Sequence, residues 1–301
     1  MNFNMSRFIA VATALFAAAE TSAATSGVRA DVPEPSLIFK DAGLEQAREA
    51  SPLSLHGNAT FDVLSGYEFR GALANDQPVY WSYGELDLVY RDLAALCVWG
   101  FQSTDMTCAR KESLRRMNEW DAGASGRVNI PLSERVALGL DLGHCWCSIR
   151  GAHGPFADYY EKIRNSLYGF VWLETPYVIP YATAEYEYRV AKCGALTAGI
   201  RRKFMLPAGF EFTADISVGG GSKGYNAGLY PPYDAKIGSG IMFARVSCEL
   251  LYRLTANIGI GATLSYSVLT DPTVRESINS VKDDPARKDF LCGGIGLRVD
   301  F

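Results

Sequence analysis

The sequence predicts an all-β fold, a transmembrane antiparallel up-and-down β-barrel of about 12 strands. Three observations lead to this prediction. Apolar and polar residues alternate along most of the 301-residue chain, as they do in strands with one apolar face. Although 48% of the residues are hydrophobic, no stretch approaches the roughly 20 consecutive apolar residues of a transmembrane helix. Short and long connections alternate, as they do in bacterial outer-membrane barrels.

The first residues of the chain predict export. Residues 1–24 combine a positive charge at Arg7 with a short apolar run, Phe8 to Ala19, and small residues at the cleavage position. Residues 25–58 are polar, contain prolines and lack strand alternation, so we expect an N-terminal periplasmic segment or a plug in the lumen. The barrel itself is then expected over residues 59–301.

Twelve segments alternate over a length that suffices for a tilted spanning strand. They are Thr60–Leu73, Val79–Arg91, Leu93–Ser103, Met117–Pro131, Arg135–Ser148, Tyr160–Leu173, Tyr177–Val190, Gly194–Phe204, Phe210–Gly220, Ile241–Leu254, Asn257–Leu269 and Asp289–Phe301. The last of these ends on an aromatic residue, Phe301, and resembles the C-terminal insertion signal of outer-membrane barrels. We therefore expect the bacterial outer membrane as the location, with outer-membrane lipid and the barrel-assembly machinery as partners.

The connections between these segments fall into two classes. Short turns occur at Arg91-Asp92, Leu132 to Glu134, Glu174 to Pro176, Met205 to Gly209 and Thr255-Ala256. Long polar connections occur at Thr104–Arg116, Ile149–Tyr159, Gly221–Gly240 and Thr270–Lys288. This asymmetry predicts that the short turns are periplasmic and the long loops extracellular.

Four tryptophans favour the membrane barrel over a soluble β-sandwich. Trp81, Trp99, Trp120 and Trp146 lie near the long-loop ends of their strands, where an aromatic girdle would meet the lipid headgroups. A sandwich would instead need an apolar inner face and a solvated outer face.

If the apolar faces meet lipid, the opposite faces line the lumen, and they are densely charged. They carry Glu68, Arg70, Glu85, Asp87, Arg91, Asp121, Arg127, Asp141, Glu185, Glu187, Arg189, Arg201, Lys203, Glu211, Asp215, Arg245, Glu249, Arg253, Arg298 and Asp300. Two arrangements are open. Water fills the lumen and the charges select solutes, or the charges pair with one another and form a solid polar core.

The strand count favours a narrow channel, because about eight strands leave a filled interior and sixteen to eighteen leave an open one. The sequence therefore predicts a porin-like channel for passive or weakly selective diffusion of small hydrophilic solutes, partly closed by an inward-folded loop or by the N-terminal segment. A non-conducting structural or adhesion barrel with ligand-binding extracellular loops is the alternative. The pore-lining candidates are Glu68, Arg70, Asp121, Arg127, Glu185, Arg189, Arg201, Asp215, Arg245 and Glu249.

No motif predicts catalysis, a cofactor or a metal. His144 alternates with lipid-side residues, and the Cys145-x-Cys147 pair with His144 and His153 lacks the usual zinc spacing. The segment from Gly219 to Gly224 lacks the phosphate-loop spacing and predicts a flexible loop. The tyrosines and prolines that follow it could bind carbohydrate or form a constriction. A net charge of −4 with interspersed signs indicates no nucleic-acid partner.

One string in the first predicted strand is the most specific in the chain. It reads Gly66-Tyr67-Glu68-Phe69-Arg70-Gly71, followed by Gln77-Pro78-Val79, and it resembles the opening hairpin of the TorF family of porins. The segment from Asp158 to Glu161 is similar to a mid-barrel feature of that family. The resemblance covers a small part of the chain and implies an outer-membrane barrel of channel function. The cysteines and the long N-terminal segment depart from the family pattern.

Overall fold

The computed structural model describes residues 52–69, 71–106, 118–150, 163–190, 192–229, 237–280 and 288–301. The predicted signal peptide and residues 25–51 of the predicted N-terminal segment lie outside the described residues. The same is true of Arg70, His153 and the segment from Asp158 to Glu161.

Fourteen strands and two α-helices form within the described residues. The strands are β1 (Leu53–Leu64), β2 (Tyr67–Phe69), β3 (Ala72–Asn75), β4 (Val79–Tyr90), β5 (Ala94–Asp105), β6 (Asn118–Ser133), β7 (Val136–Arg150), β8 (Arg164–Glu174), β9 (Ile179–Glu187), β10 (Cys193–Met205), β11 (Phe210–Gly221), β12 (Gly240–Arg253), β13 (Ile258–Leu269) and β14 (Asp289–Asp300). The helices are α1 (Lys223–Leu229) and α2 (Pro272–Ser280). No helix in the described ranges is long and apolar enough to cross a membrane.

Twelve of the strands close into one antiparallel barrel, which confirms the predicted fold class. Each barrel strand pairs with its sequence neighbour, apart from the β2–β3 hairpin, and β1 pairs with β14 to close the ring. At the closing seam the backbone N–H groups of Gly57 and Phe301 each donate to the other's carbonyl, at 2.7 and 2.9 Å. Every spanning strand therefore has a hydrogen-bonded neighbour on both sides, as lipid requires.

The outward faces are apolar and the inward faces polar. Leu96, Leu142 and Ile295 are 67%, 70% and 67% exposed, and they point away from the barrel interior. The residues on either side of them along the strands are buried or half-buried. An apolar exterior of this kind is the surface that an outer-membrane barrel presents to lipid.

The start of the barrel differs from the prediction. β1 begins at Leu53 and ends at Leu64, whereas the sequence indicated a strand from Thr60 to Leu73. Tyr67–Phe69 form β2, which pairs with β3 in a separate two-stranded hairpin and is not the end of the first spanning strand. The alternation in this string is real, but the strand it builds belongs to a small second sheet.

The tryptophans divide between the two faces. Trp120 and Trp146 are 40% and 44% exposed on the outside, as predicted for a girdle. The girdle prediction is wrong for Trp99, which is buried in the lumen, and for Trp81, which is partly buried against the same interior cluster. Trp99 fits there because its ring lies over Gly123 on β6, where any side chain would collide with it.

Both helices belong to long connections and contribute to the interior. Tyr225 of α1 and Val274 of α2 are buried in the same cluster as Ile237 and Met242. The prediction of a flexible loop after Gly219 is therefore wrong for Lys223–Leu229, which is helical. These loops fold back over the long-loop end of the barrel.

A charge on the lipid face tests the barrel's placement in the membrane. Leu142→Arg puts a guanidinium near the middle of β7, and we expect it to lower the free energy of unfolding by about 2–4 kcal/mol. Leu254→Arg, in the turn after β12, is the matched control and should cost about 0–1 kcal/mol. Both are measured by denaturant unfolding from lipid vesicles, and equal losses at the two positions would contradict the assigned lipid face.

Candidate functional site

The candidate site is the barrel lumen, and its long-loop end contains the β2–β3 hairpin. The Tyr67 hydroxyl donates to Glu119 Oε2 on β6 at 2.8 Å, and the Ser267 hydroxyl on β13 donates to Glu68 Oε1 at 2.5 Å. These two wall strands lie on different sides of the barrel, so the hairpin spans the lumen between them. The first connection of the barrel is therefore the inward-folded loop that the sequence predicted without locating it.

The tip of the hairpin requires a glycine. Gly71 has φ +80°, which side chains other than glycine rarely tolerate, and Phe243 of β12 lies directly against the position a Cβ would occupy. Phe69 and Tyr67 are buried with Tyr83 and Trp99 of the wall. This outer layer of the lumen is aromatic and tightly packed.

Below the hairpin, toward the short-turn end, Arg127 of β6 is surrounded by carboxylates. Its Nη2 donates to Glu85 Oε2 at 2.8 Å, its Nη1 to Asp87 Oδ1 at 3.2 Å, and its Nε to Asp141 Oδ2 at 2.9 Å. Arg127 is 3% exposed. A fork of five donors explains why an arginine, and not a lysine, can hold three carboxylates at once.

A second charged layer joins β9, β10 and β11. Arg201 Nη2 donates to Asp215 Oδ2 at 3.4 Å, and the guanidinium lies 5.1 Å from the centre of the Tyr181 ring. The Tyr181 hydroxyl donates to Asp215 Oδ1 at 3.1 Å. The carboxylate is thus held by a cation and a hydroxyl in a fully buried position.

Ion pairs continue to the short-turn end of the lumen. Lys203 Nζ lies 2.7 Å from Glu211 Oε2, and Arg253 bridges Glu211 and Asp300. Arg298 bridges Asp62 of β1 and Glu249 of β12, across the strand that closes the ring. These pairs tie five strands together through the interior.

Acidic side chains outnumber basic ones in the lumen. Among the described residues, ten acidic and five basic side chains are buried. The acidic members are Asp62, Glu85, Asp87, Glu119, Asp121, Asp141, Glu187, Glu211, Asp215 and Glu249, and the basic members are Arg127, Arg164, Arg201, Lys203 and Arg245. The strands β4 to β8 carry most of the excess, so one side of the lumen is acidic.

The pore-lining candidates fall into four groups. Asp121, Arg127, Arg201, Asp215, Arg245 and Glu249 are buried on the inner wall. Glu185 is half-buried on β9, and Glu68 belongs to the hairpin and not to the wall. Arg189 is exposed in the connection between β9 and β10, where its N–H donates to Glu187 Oε1 at 2.8 Å. Arg70 lies outside the described residues. Arg91, which the alternation also assigned to the lumen, lies in the β4–β5 turn with φ +49°.

Several inward residues were missed, among them the charged Asp62 and Arg164. Glu119 and Cys147 face the lumen beside Asp121, and Cys147 Sγ donates to Glu119 Oε1 at 3.3 Å. The alternation along the strands indicated these inward positions. Glu119 lies two residues before Asp121, and Cys147 lies six residues after Asp141, so each shares the inward face of its strand. His144 lies outside instead, with its Nε2 2.7 Å from the Tyr188 hydroxyl.

Known proteins resemble this chain in structure and not in sequence. No family model matches, and no curated protein matches. The COG4313 outer-membrane channel of Pseudomonas putida F1 is 10% identical with a TM-score of 0.50, over 84% of this chain and 97% of that chain. The NanC porin (10% identity, TM-score 0.45, 82% and 99%) and the outer-membrane phospholipase A of Escherichia coli (9%, 0.45, 81% and 92%) are also similar.

The closed twelve-stranded ring with an apolar exterior is that of a bacterial outer-membrane β-barrel. Its architecture is porin-like, and at 10% identity the likeness concerns the fold alone. A fold does not by itself assign an activity, so the activity has to be argued from the lumen.

Removing the charge of Arg127 tests whether this side chain stabilises the buried carboxylates around it. Arg127→Met leaves three buried carboxylates without their shared partner, and we expect a loss of about 3–5 kcal/mol in the free energy of unfolding. Arg253→Met is the control, because its guanidinium is 23% exposed and its loss should be about 1 kcal/mol. Adding Glu85→Gln and Asp87→Asn to Arg127→Met should restore part of the stability. An Arg127→Met variant as stable as the wild type would contradict the assignment of Arg127 as the shared partner of the three carboxylates.

Proposed function

We propose that this protein is an outer-membrane channel for small hydrophilic solutes, with the β2–β3 hairpin as its constriction. The observation that carries the proposal is a loop folded into a polar, charged lumen. The hairpin is a two-stranded sheet of its own and is not hydrogen-bonded into the barrel ladder. It can therefore move without breaking the backbone ladder of the ring.

The hairpin contains the string that resembles the TorF family. Its inward position supports family membership, because a constriction loop is a part that a channel needs and a structural barrel does not. The first connection is also the one that carries the tip glycine, Gly71. We accordingly propose that this string acts as a channel element.

The charge balance of the lumen indicates the preferred solute. With ten buried acidic and five basic side chains, the interior attracts cations and repels anions. Rings and rows of carboxylates select cations in other channels by the same physics. We propose a weak preference for small cationic or zwitterionic solutes.

The ion pairs favour a second candidate, a non-conducting barrel. Arg127, Arg201 and Lys203 are each buried against a carboxylate, and charges paired in this way make a solid core that needs no pore. In that case the long loops would carry the function as binding surfaces for an external partner. The channel candidate predicts that displacing the hairpin opens a path through the lumen. The non-conducting candidate predicts that it does not.

The last strand, β14, is the basis of a proposal on how the barrel is assembled in the membrane. We propose that β14 and Phe301 are the part that the barrel-assembly machinery recognises. The Phe301 ring is 64% exposed, although its backbone is paired with Gly57. An exposed aromatic at the end of a seam strand remains available to another protein before the ring closes.

Shortening the hairpin tests the channel. Replacing residues 67–75 by a short Gly-Ser linker should raise the single-channel conductance in planar bilayers several-fold, because the aromatic outer layer loses its central element. Glu119→Gln is a milder variant that weakens the Tyr67 contact and should increase the frequency of opening. The control is Leu96→Ala on the outward face, where the side chain is 67% exposed, and it should leave the unit conductance unchanged.

One combined result would contradict this proposal. A folded wild-type barrel that never conducts, together with a shortened variant that also never conducts, would favour the structural candidate. Folding of each variant is verified first by its resistance to unfolding in detergent.

Ion selectivity tests the charge argument separately. In a salt gradient across the bilayer, the reversal potential should show a preference for cations, which weakens at high salt because the lumen field is screened. Asp215→Asn with Glu249→Gln lowers the acidic excess and should shift the reversal potential toward zero. A wild-type preference for anions would refute the assigned solute class.

A further inference from the structure

Two neighbouring strands bring three metal-binding side chains together at the long-loop end of the lumen. Asp121 on β6 lies directly opposite Cys147 on β7, and Glu119 projects from β6 two residues away on the same face. One donor atom from each of the three lies within 4.8 Å of the other two. All three residues are buried, at 2%, 7% and 6% exposure for Glu119, Asp121 and Cys147.

One buried oxygen in this group has no partner among the residues that the structure describes. Asp121 Oδ1 is shielded from solvent and accepts no hydrogen bond from those residues. A carboxylate oxygen that is buried and unsatisfied is costly, so such atoms in folded proteins call for an explanation, and a bound ion is a common one. The oxygen lies in a group that already has the donors of a metal site.

A second group of the same composition shows that an arginine side chain can supply the positive charge in such a cluster. Glu85, Asp87 and Cys97 also place one donor atom each within 4.8 Å of one another. There the Arg127 guanidinium supplies the cation, with hydrogen bonds to both carboxylates and to Cys97 Sγ at 3.2 Å. In the Asp121 group Arg164 Nη2 donates to Cys147 Sγ at 3.3 Å, yet Asp121 Oδ1 accepts no hydrogen bond within the described part of the chain. The Glu85 group therefore already holds a cation between its carboxylates, whereas the Asp121 group keeps an unsatisfied carboxylate oxygen.

We propose that Glu119, Asp121 and Cys147 bind one divalent zinc ion. A thiolate with two carboxylates suits a borderline cation such as Zn²⁺, whereas Mg²⁺ and Ca²⁺ prefer oxygen donors alone. From Zn–S of about 2.3 Å and Zn–O of about 2.0–2.2 Å, tetrahedral ligand atoms lie roughly 3.3–3.8 Å apart. The group needs to contract by about 1.5 Å at most, which side-chain rotation on adjacent strands can supply.

Binding changes the protonation of one group and involves no redox step. The Cys147 thiol loses its proton to solvent, and the thiolate sulfur donates an electron pair to the ion. The Cys147 hydrogen bond to Glu119 is replaced by two metal–ligand bonds. A water molecule completes the fourth position. Cys145, the next inward residue of β7, interacts electrostatically with Asp121 and would be the alternative fourth ligand. The proposal does not depend on whether the barrel conducts.

Cobalt provides a direct probe, because thiolate coordination to Co²⁺ produces a charge-transfer absorption in the near ultraviolet. The purified, folded chain in detergent, kept reduced with a phosphine, should take up one equivalent of Co²⁺ with this absorption and lose it when Zn²⁺ is added. Cys147→Ser should abolish the band or reduce it to a small remnant. Asp121→Asn should weaken Zn²⁺ binding more than about tenfold, since even the partners of metal ligands change affinity by that much.

The group of Glu85, Asp87 and Cys97, which the Arg127 guanidinium fills, supplies matched controls. Cys97→Ser and Asp87→Asn change the same residue types in the group that Arg127 fills, and both should leave the Co²⁺ band and the Zn²⁺ affinity unchanged. The proposal fails if the wild type shows no thiolate band, if Cys147→Ser keeps the full band, or if the Asp87 and Cys97 variants remove it. If Cys147→Ser does not fold, Asp121→Asn and Glu119→Gln decide by their Zn²⁺ affinities.

Discussion

The structure depends on the requirement that every backbone hydrogen bond inside the membrane has a partner within the protein. A sheet with two free edges would leave two rows of N–H and C=O groups in lipid, so the chain has to return and pair β14 with β1. Closure then creates an interior that no lipid or bulk solvent covers. The side chains that face inward must satisfy one another or hold water. The dense network of arginines and carboxylates is a response to that enclosure.

Enclosure also explains the division of the lumen into an aromatic layer and a charged layer. Near the long loops the wall can be covered by chain that folds back, so Trp99, Tyr83 and the hairpin pack as an apolar core. Farther down none of the described loops reaches, and long charged side chains such as Arg127 project into the interior, with hydrogen bonds that cross between strands. Desolvated charges such as Arg127 and Lys203 are tolerated there because a carboxylate pairs with each of them. The same pairs narrow the path that a solute would take.

The strand number, the closed ring and the lipid face were predictable from the sequence, because they rest on alternation with a period of two. The hairpin was not located, since Tyr67, Glu68 and Phe69 alternate like the spanning strand before them and only tertiary contacts separate the two. Trp99 was assigned to the wrong face for a related reason, because its interior position depends on a glycine on the neighbouring strand. The ion pairs were also beyond the sequence. Arg127 and Glu85 are 42 positions apart, and their pairing follows from barrel registers that composition does not encode.

Both ends of the first connection are fastened to the wall by backbone hydrogen bonds. Ser65 donates its N–H to the carbonyl of Gly293 at 2.8 Å, and the carbonyl of Pro78 accepts from Met106 at 3.0 Å. The hairpin is therefore attached to the barrel wall at both of its ends. Only Gly66 lies between Ser65 and β2, and only Asp76 and Gln77 lie between β3 and Pro78. Under the channel proposal, these short attachments limit how far the hairpin can move, so any widening of the pathway would be partial.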